Sequence, residues 1–327
     1  MTTTQTAPRP ADRAHPGGEP AVRVRGLVKR YGGRTVVDGL DLDVHRGECF
    51  ALLGPNGAGK TTTVEVLEGV RRRDAGEVAV LGEDPATAGR AWRDRVGVVG
   101  QTTGAGNALT VRETLDHFAG YHGLPRDTAE LLDAVGLTEA AGRRVDRLSG
   151  GQRRRLEVAL GVQGRPELVF LDEPTTGMDP VARRQFWALV EGMRDAGTTV
   201  LLTTHYLDEA AHLADRVGVL AGGRLVEVAP PAELGAALRR TATVRWREGD
   251  AVREVRTPEP AAVLRDLLAA HPAGEVPGLT VTRPGLEDVY LQLVGAGAAE
   301  TPAGTPAETP AATPAATPAA TPEGDPR

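Results

Sequence analysis

Short apolar runs separated by helix-like segments occupy most of the chain and predict an alternating α/β region. Five of these runs predict strands: FALLG, VGVVG, LVFLDEP, TVLLTTH and RVGVLAGGRLVEV. The middle runs lack polar alternation, which is typical of strands that helices cover on both faces. The first stretch, VRVRGLVKRYGGRTVVDGLDLDVHRGE, alternates more and predicts an antiparallel β layer. We therefore expect an α/β core domain over residues 21–230.

The pattern changes after residue 230. The stretches TATVRWRE and AVREVRT predict a hairpin, PAAVLRDLLAAH a helix, GLTVTRP a strand and GLEDVYLQLV a last helix. Together these elements predict a small α+β appendage over residues 231–295.

Both ends of the chain have little to bury. Residues 1–20 are rich in Thr, Pro and Gly, and residues 296–327 repeat Thr-Pro-Ala units. Low apolar content disfavours a packed core, and frequent prolines block helices and sheet ladders. We expect both ends to be disordered. The C-terminal tail suits a spacer or a docking arm, although a merely solvated tail is the simpler interpretation.

Composition and charge narrow the class of protein. The net charge of −6 gives no overall basic field for nucleic acid. Cys49 is the one cysteine, which excludes an intrachain disulfide and fits a reducing compartment. No apolar run reaches the length of a membrane span, and the N-terminus lacks the apolar segment of a signal peptide. We expect a soluble cytosolic chain, which still allows a membrane partner.

A glycine-rich loop with one lysine is the strongest sign of chemistry. The stretch GPNGAGKTT has the spacing G-x-x-x-x-G-K-[ST] between the apolar run CFALL and a helical segment. Successive N–H groups of such a loop can cradle the β- and γ-phosphates of a nucleotide. Lys60 adds a positive charge there, and the Thr61 hydroxyl can ligate Mg²⁺. The candidate binding residues are Gly54, Pro55, Asn56, Gly57, Ala58, Gly59, Lys60, Thr61 and Thr62.

An acidic pair ends the apolar run LVFLDEP. Asp172 comes at the C-terminal tip of the predicted strand, where ligands of α/β sheets bind. We expect Asp172 to hold Mg²⁺ through water and Glu173 to polarise a water that attacks the γ-phosphate. The motif alone is also compatible with an ordinary acidic strand end. The presence of the phosphate loop in the same chain supports the catalytic interpretation.

The stretch RLSGGQRRRLEVAL predicts a second helix start that suits an anion. Ser149 can cap the helix, and Gly150 and Gly151, followed by Gln152, allow a close approach. A separate nucleotide would need its own lysine, and none is near Ser149. We therefore expect Ser149 and Gly151 to complete the phosphate site of a second chain, with two nucleotides in a two-fold interface. The three arginines after Gln152 are expected to face solvent or the partner chain.

The three motifs GPNGAGKTT, LSGGQ and LVFLDEP, in this order, resemble the ATP-binding subunit of an ABC transporter over residues 22–230. The resemblance implies a P-loop NTPase cassette with a mixed-sheet core, an antiparallel β layer and a helical subdomain at about residues 102–160. It also implies ATP and Mg²⁺ as the cofactors.

The resemblance assigns further site residues. Tyr31 falls where the family stacks an aromatic ring on adenine, and His205 falls at the switch histidine that contacts the γ-phosphate. Gln101 matches the glutamine that touches Mg²⁺ and senses the membrane partner, although Gly100 stands where the family often has proline. Asp179, in Met-Asp-Pro, matches the loop that crosses the dimer interface.

The C-terminal LEDVYLQLVG resembles the exporter branch of the family, which includes daunorubicin-resistance-type drug exporters. The resemblance implies an ATPase at the cytoplasmic face of the membrane, as a homodimer or a heterodimer. Such a dimer would drive a separate integral membrane permease that exports a drug, an antibiotic or a lipid-like substrate, without nucleic acid. A regulatory or membrane-remodelling ATPase remains open as the alternative. The single cassette, without a heptad run, disfavours a ribosome- or DNA-acting ATPase, and LSGGQ disfavours a P-loop kinase.

Overall fold

The computed structural model describes residues 19–100, 108–249, 251–271 and 275–299. The strands are β1 (Val22–Tyr31), β2 (Arg34–Val44), β3 (Cys49–Leu53), β4 (Ala75–Val80), β5 (Val96–Val99), β6 (Leu168–Asp172), β7 (Thr199–Thr204), β8 (Arg216–Ala221), β9 (Arg224–Ala229), β10 (Ala242–Glu248), β11 (Ala251–Thr257) and β12 (Thr280–Thr282). The helices are α1 (Lys60–Leu67), α2 (Arg90–Arg93), α3 (Val111–Ala119), α4 (Thr128–Ala134), α5 (Gly150–Val162), α6 (Pro180–Asp195), α7 (Leu207–Leu213), α8 (Ala236–Arg239), α9 (Pro260–Ala270) and α10 (Leu286–Ala299).

Six strands form the central sheet, in the order β5-β6-β7-β3-β8-β9. Neighbouring strands are parallel except for the antiparallel hairpin β8-β9. Strands β3, β6 and β7 are buried along their whole length, which confirms what their unbroken apolar runs predict. Because these three are parallel neighbours, the segments that follow them meet at one edge of the sheet.

An antiparallel sheet, β2-β1-β4, covers one face of the central sheet and confirms the predicted β layer. Phe50 and Leu52 of β3 pack toward this layer, while Ala51 and Leu53 join the core on the opposite face. The apolar pattern does not identify β4. Its first three residues are exposed and include Gly76, so little of the strand carries a hydrophobic signal.

The segment between β5 and β6 contains α3, α4 and α5, with two single-turn 3₁₀ helices at Thr138–Ala140 and Val145–Arg147. Both α3 and α5 begin with a capping box. The side chain of the N-cap residue, Thr110 or Ser149, accepts a hydrogen bond from the backbone N–H three residues later. The side chain of that later residue, Glu113 or Gln152, accepts in return from the N–H of the N-cap residue. The apolar faces of these helices pack into the same core cluster as β6. The whole segment is therefore anchored to the central sheet.

The C-terminal strands form an antiparallel sheet, β11-β10-β12, with α9 against β10. The predicted hairpin, helix, strand and last helix are confirmed. Helix α10 runs to Ala299, so the expectation of disorder from residue 296 is wrong for residues 296–299. These residues contain no proline, and the next proline is Pro302, so the helix meets no break there.

Helix α10 also returns to the central sheet. It packs on β8 and β9, and the side chains of Tyr290 and Leu293 lie against the central core. No helix in the described ranges is long and apolar enough to cross a membrane. Residues 1–18 and 300–327, most of both predicted tails, lie outside the described residues.

Candidate functional site

The glycine-rich loop lies between β3 and α1, and two of its glycines have no room for a side chain. A Cβ on Gly54 would lie 2.4 Å from the carbonyl oxygen of Leu220, and one on Gly59 would lie 2.8 Å from that of Val36. Gly59 also has φ 105°, a left-handed conformation that favours glycine. Close packing of the loop against the sheet thus selects glycine at both positions.

The loop presents a cradle of unpaired amides. In the described part of the chain, the N–H groups of Gly57, Gly59, Lys60 and Thr61 donate to no protein acceptor. They precede or begin α1, so the helix dipole adds partial positive charge at the same place. The adjacent cleft has a volume of about 340 Å³ and is lined by Val36, Asn56, Gly57, Gly59, Lys60, Thr61, Thr62 and Glu173. This donor set fits the phosphates of a nucleotide.

Lys60 is buried within the loop, with 5% of its surface exposed. Its ammonium donates to the carbonyl oxygens of Gly54 at 2.8 Å and Pro55 at 3.3 Å. It also lies 3.3 Å from Oε1 of Glu173. The structure therefore brings the loop lysine and the acidic strand end together.

Asp172 ends β6 and faces the loop. Its Oδ1 accepts a hydrogen bond from the Thr203 hydroxyl at 2.5 Å and a longer one from the Thr61 hydroxyl at 3.5 Å. A carboxylate and a hydroxyl at this spacing are oxygen ligands of the kind Mg²⁺ prefers, directly or through water. The residues present thus fit the metal that the motifs imply.

Glu173 occupies a strained position at the mouth of the cleft. Its φ of 43° is left-handed, which costs a non-glycine residue roughly 1–3 kcal/mol. Its N–H donates to both the carbonyl and the hydroxyl oxygen of Thr203, at 3.2 Å and 2.9 Å. Nδ1 of His205, which follows β7, lies 3.5 Å from Oε2 of Glu173. The carboxylate is therefore held between a lysine and a histidine.

Tyr31 stands at the end of β1, where the β1-β2 hairpin turns toward the loop. It pairs with Arg34, two residues before the cleft-lining Val36. The ring is 38% exposed, with the Lys29 ammonium 5.5 Å and the Arg71 guanidinium 5.2 Å from its centroid. An exposed ring in this hairpin can stack on a base.

The LSGGQ segment begins α5 as the sequence predicts, and none of its residues lines this cleft. Ser149 caps the helix by accepting from the N–H of Gln152, whose side chain accepts in return from the N–H of Ser149. No hydrogen bond or ion pair in the described chain joins these residues to the phosphate loop. Gly150 has open space where a Cβ would be.

Asp179 lies next to this second helix start. A Cβ on Gly151 would lie 3.4 Å from that of Ala182 in α6, so α5 and α6 begin side by side. The Asp179 carboxylate caps α6 through the N–H groups of Val181 and Ala182, and these bonds lower the pKa of Asp179. Gln101 lies outside the described residues.

The sequence motifs do not identify two residues of this region, Thr203 and Arg154. Thr203 bonds both Asp172 and the Glu173 N–H, and its only signal is a polar residue near the end of the apolar run TVLLTTH. The expectation that all three arginines after Gln152 face solvent or a partner chain is wrong for Arg154. Arg153 is exposed, but the Arg154 side chain is turned inward and is only 11% exposed. Three adjacent arginines carry no signal that distinguishes the inward one.

Comparisons with known proteins identify the family. Residues 37–176 match the family model described as ABC transporter. The chain is 41% identical to the Nod factor export ATP-binding protein I of Ralstonia nicotianae, over 85% of this chain and 95% of that protein. It is 44% identical to the daunorubicin/doxorubicin resistance ATP-binding protein DrrA of Streptomyces peucetius, over 67% and 68%.

The fold also matches a solved structure of an ATP-binding cassette. A dimeric post-hydrolysis structure of the ATP-binding cassette MJ0796, bound to ADP and Pi, superposes with a TM-score of 0.58 at 21% identity. The match covers 64% of this chain and 98% of that one. A P-loop NTPase cassette, the three ordered motifs and these identities lead to one conclusion. The chain belongs to the ABC transporter family, as one of its ATP-binding subunits.

Proposed function

We propose that this chain is the ATP-hydrolysing subunit of an exporter and that it works as a dimer around two ATP molecules. The observation that carries the proposal is the buried Lys60 ammonium, which lies among unpaired loop amides and 3.3 Å from the Glu173 carboxylate. ATP is the substrate whose phosphates suit this cradle, and Tyr31 offers a ring for its base.

Binding of the γ-phosphate changes the partners of Lys60. Phosphate oxygens compete with Glu173 for the ammonium, so the carboxylate is released to accept a proton from the attacking water. His205, 3.5 Å from Oε2 of Glu173, orients that carboxylate and can donate toward the γ-phosphate. Mg²⁺ bound by Thr61, Asp172 and Gln101 would neutralise charge that develops on the phosphates.

The second helix start takes its role from a second chain. We infer that Ser149, Gly150, Gly151 and Gln152 contact the γ-phosphate held by the partner, and that Asp179 lies at the same interface. Support comes from the open space at Gly150 and from the lack, in the described residues, of any hydrogen bond or ion pair between this helix start and the chain's own phosphate loop. Each chain then offers one cradle and one helix start, so a two-fold contact closes on itself.

We infer that a membrane partner docks at an exposed surface near the end of α3. Three apolar side chains are exposed here: Phe118 in the last turn of α3, and Tyr121 and Leu124 just beyond it. The rings of Phe118 and Tyr121 pack on each other and on His117. This surface suits a cytoplasmic helix of a permease. Such docking holds the chain at the cytoplasmic face of the membrane. The net charge of −6 argues against nucleic acid as the partner.

The relatives suggest the class of cargo. DrrA is named for resistance to daunorubicin and doxorubicin, and the Ralstonia nicotianae protein is named for Nod factor export. We propose a drug-like or lipid-like molecule for this chain. A neighbouring reading frame with about six membrane-length apolar spans would supply the permease. Its absence would favour a regulatory ATPase that transports nothing.

Two variants test the ATPase and the dimer. Lys60→Ala should lower ATP turnover roughly 10²-fold or more, because a positioned charge at the phosphates is lost. Glu173→Gln should bind ATP but hydrolyse it slowly, and a dimer should accumulate in size-exclusion chromatography with ATP. Glu167→Gln, at the other end of β6, is the matched control and should behave as wild type. Full turnover in Lys60→Ala would contradict the phosphate role. A Glu173→Gln protein that stays monomeric with ATP and permease would contradict the dimer.

A further inference from the structure

The Arg154 guanidinium joins three parts of the molecule. Its Nε donates to the carbonyl oxygen of Pro174 at 2.9 Å, and its Nη2 donates to that of Asp172 at 3.0 Å. Its Nη1 donates to the carbonyl oxygen of Gly100 and lies 2.8 Å from Oε2 of Glu157. All three nitrogens of this largely buried fork are therefore engaged within the chain.

The two carbonyls at Asp172 and Pro174 flank Glu173 on either side. Glu173 has the left-handed backbone described above, and on its N–H side it is held by Thr203. A strained backbone persists only where its surroundings over-determine it. Arg154 supplies that constraint from the side of α5, since it bonds the peptide group that precedes Glu173 and the peptide group that follows Pro174.

The third carbonyl, of Gly100, directly precedes Gln101. Arg154 itself lies in the second turn of α5, the helix that Ser149 begins. One side chain thus connects the helix start that we assign to the partner's nucleotide with two segments that serve the chain's own nucleotide.

We propose that Arg154 is a positioning residue of the ATPase, which holds Glu173 and the Gly100 carbonyl in register with α5. This inference rests on the proposed function, because it assigns Glu173 as the proton acceptor. Arg154 contacts none of the residues that line the phosphate cleft other than through the backbone beside Glu173. Its loss should therefore slow the chemical step and leave ATP binding intact.

A purely structural ion pair with Glu157 is the competing explanation. That pair uses Nη1, whereas Nε and Nη2 both donate to the carbonyls beside Glu173. A lysine keeps the charge and can keep the pair, but one ammonium on a flexible stem cannot reproduce the planar fork. Arg154→Lys therefore separates the two explanations.

The experiment compares the full-length chain as wild type, Arg154→Lys and Arg155→Lys. Arg155 is the matched control, since it lies on the same helix and donates to the carbonyls of Val135 at 3.3 Å and Gly136 at 3.0 Å. We expect kcat of Arg154→Lys to fall between about tenfold and a hundredfold, as for a small misplacement of a catalytic group. The KM for ATP should stay near that of wild type, and Arg155→Lys should keep its kcat.

A second variant covers the case in which Arg154→Lys does not fold. Arg154→Gln combined with Glu157→Gln removes both buried charges together and should lose kcat to a similar extent. A wild-type kcat in either folded variant would overturn the proposal, as would an equal loss in Arg155→Lys. A rise in KM with kcat unchanged would also overturn it. The proposed function is tested separately beforehand, because wild-type turnover that does not depend on Lys60 would remove it whatever the Arg154 variants do.

Discussion

The substitution Gly54→Ala tests whether close packing, rather than backbone freedom, fixes the first glycine of the phosphate loop. Gly54 does not have a left-handed backbone, so alanine meets no conformational penalty there. The new Cβ would, however, lie 2.4 Å from the carbonyl oxygen of Leu220 in the buried strand β8. Ordinary contact requires at least 3.4 Å, so the loop must move outward by about 1 Å (3.4 − 2.4).

The size of the effect follows from that displacement. Overpacking of this kind costs about 1–3 kcal/mol in the free energy of unfolding. The movement also displaces Lys60, because its ammonium bonds the Gly54 carbonyl at 2.8 Å. A misplacement near 1 Å at a reacting centre can lower the rate about 10²-fold. We therefore expect kcat/KM for ATP to fall between about tenfold and 10²-fold in Gly54→Ala.

Gly57→Ala is the matched control within the same loop. Gly57 has φ 80° but open space around a Cβ, so alanine meets backbone strain of about 1–2 kcal/mol without a clash. Urea unfolding should show similar losses of stability for both variants, whereas steady-state ATPase assays should show the larger loss for Gly54→Ala. Wild-type kcat/KM in a folded Gly54→Ala protein would refute the packing argument.

Three further outcomes are expected. A capping-box side chain is lost in each of two variants, Ser149→Ala and Thr110→Ala, and urea unfolding should show a cost of about 1 kcal/mol of stability in each. Only Ser149→Ala should also lower ATPase activity. Equal ATPase activities in the two variants would refute the shared phosphate site. Burial raises the pKa of Glu209 above the ordinary 4.5, so the ionised form of Glu209 destabilises the folded chain. In thermal melts, the stability that Glu209→Gln gains over wild type should therefore grow as the pH rises above 4.5. A stability difference that does not change with pH would count against this explanation. Tyr31→Ala should raise the KM for ATP several-fold and Tyr31→Trp should not, and equal KM values in both would rule out base stacking.

Several features of the fold follow from contiguous residues, which is why the sequence predicts them. The unbroken apolar runs at β3, β6 and β7 identify buried parallel strands, and the loop spacing identifies a phosphate cradle. Strand β4 is missed because half of it is exposed and Gly76 weakens its pattern. The end of α10 is missed by four residues because Ala and Gly give no apolar pattern, although the absence of proline allows a helix.

The sequence by itself determined the family motifs, their order and the candidate residues Lys60, Asp172 and Glu173, since each motif needs only local spacing. The tertiary structure alone decided that Thr203 bonds Asp172 and that Lys60 pairs with Glu173, because the strand order β6-β7-β3 brings distant segments to one edge. It also decided that Arg154, unlike the neighbouring Arg153, turns inward. That choice depends on carbonyl groups from other segments, which local periodicity does not encode.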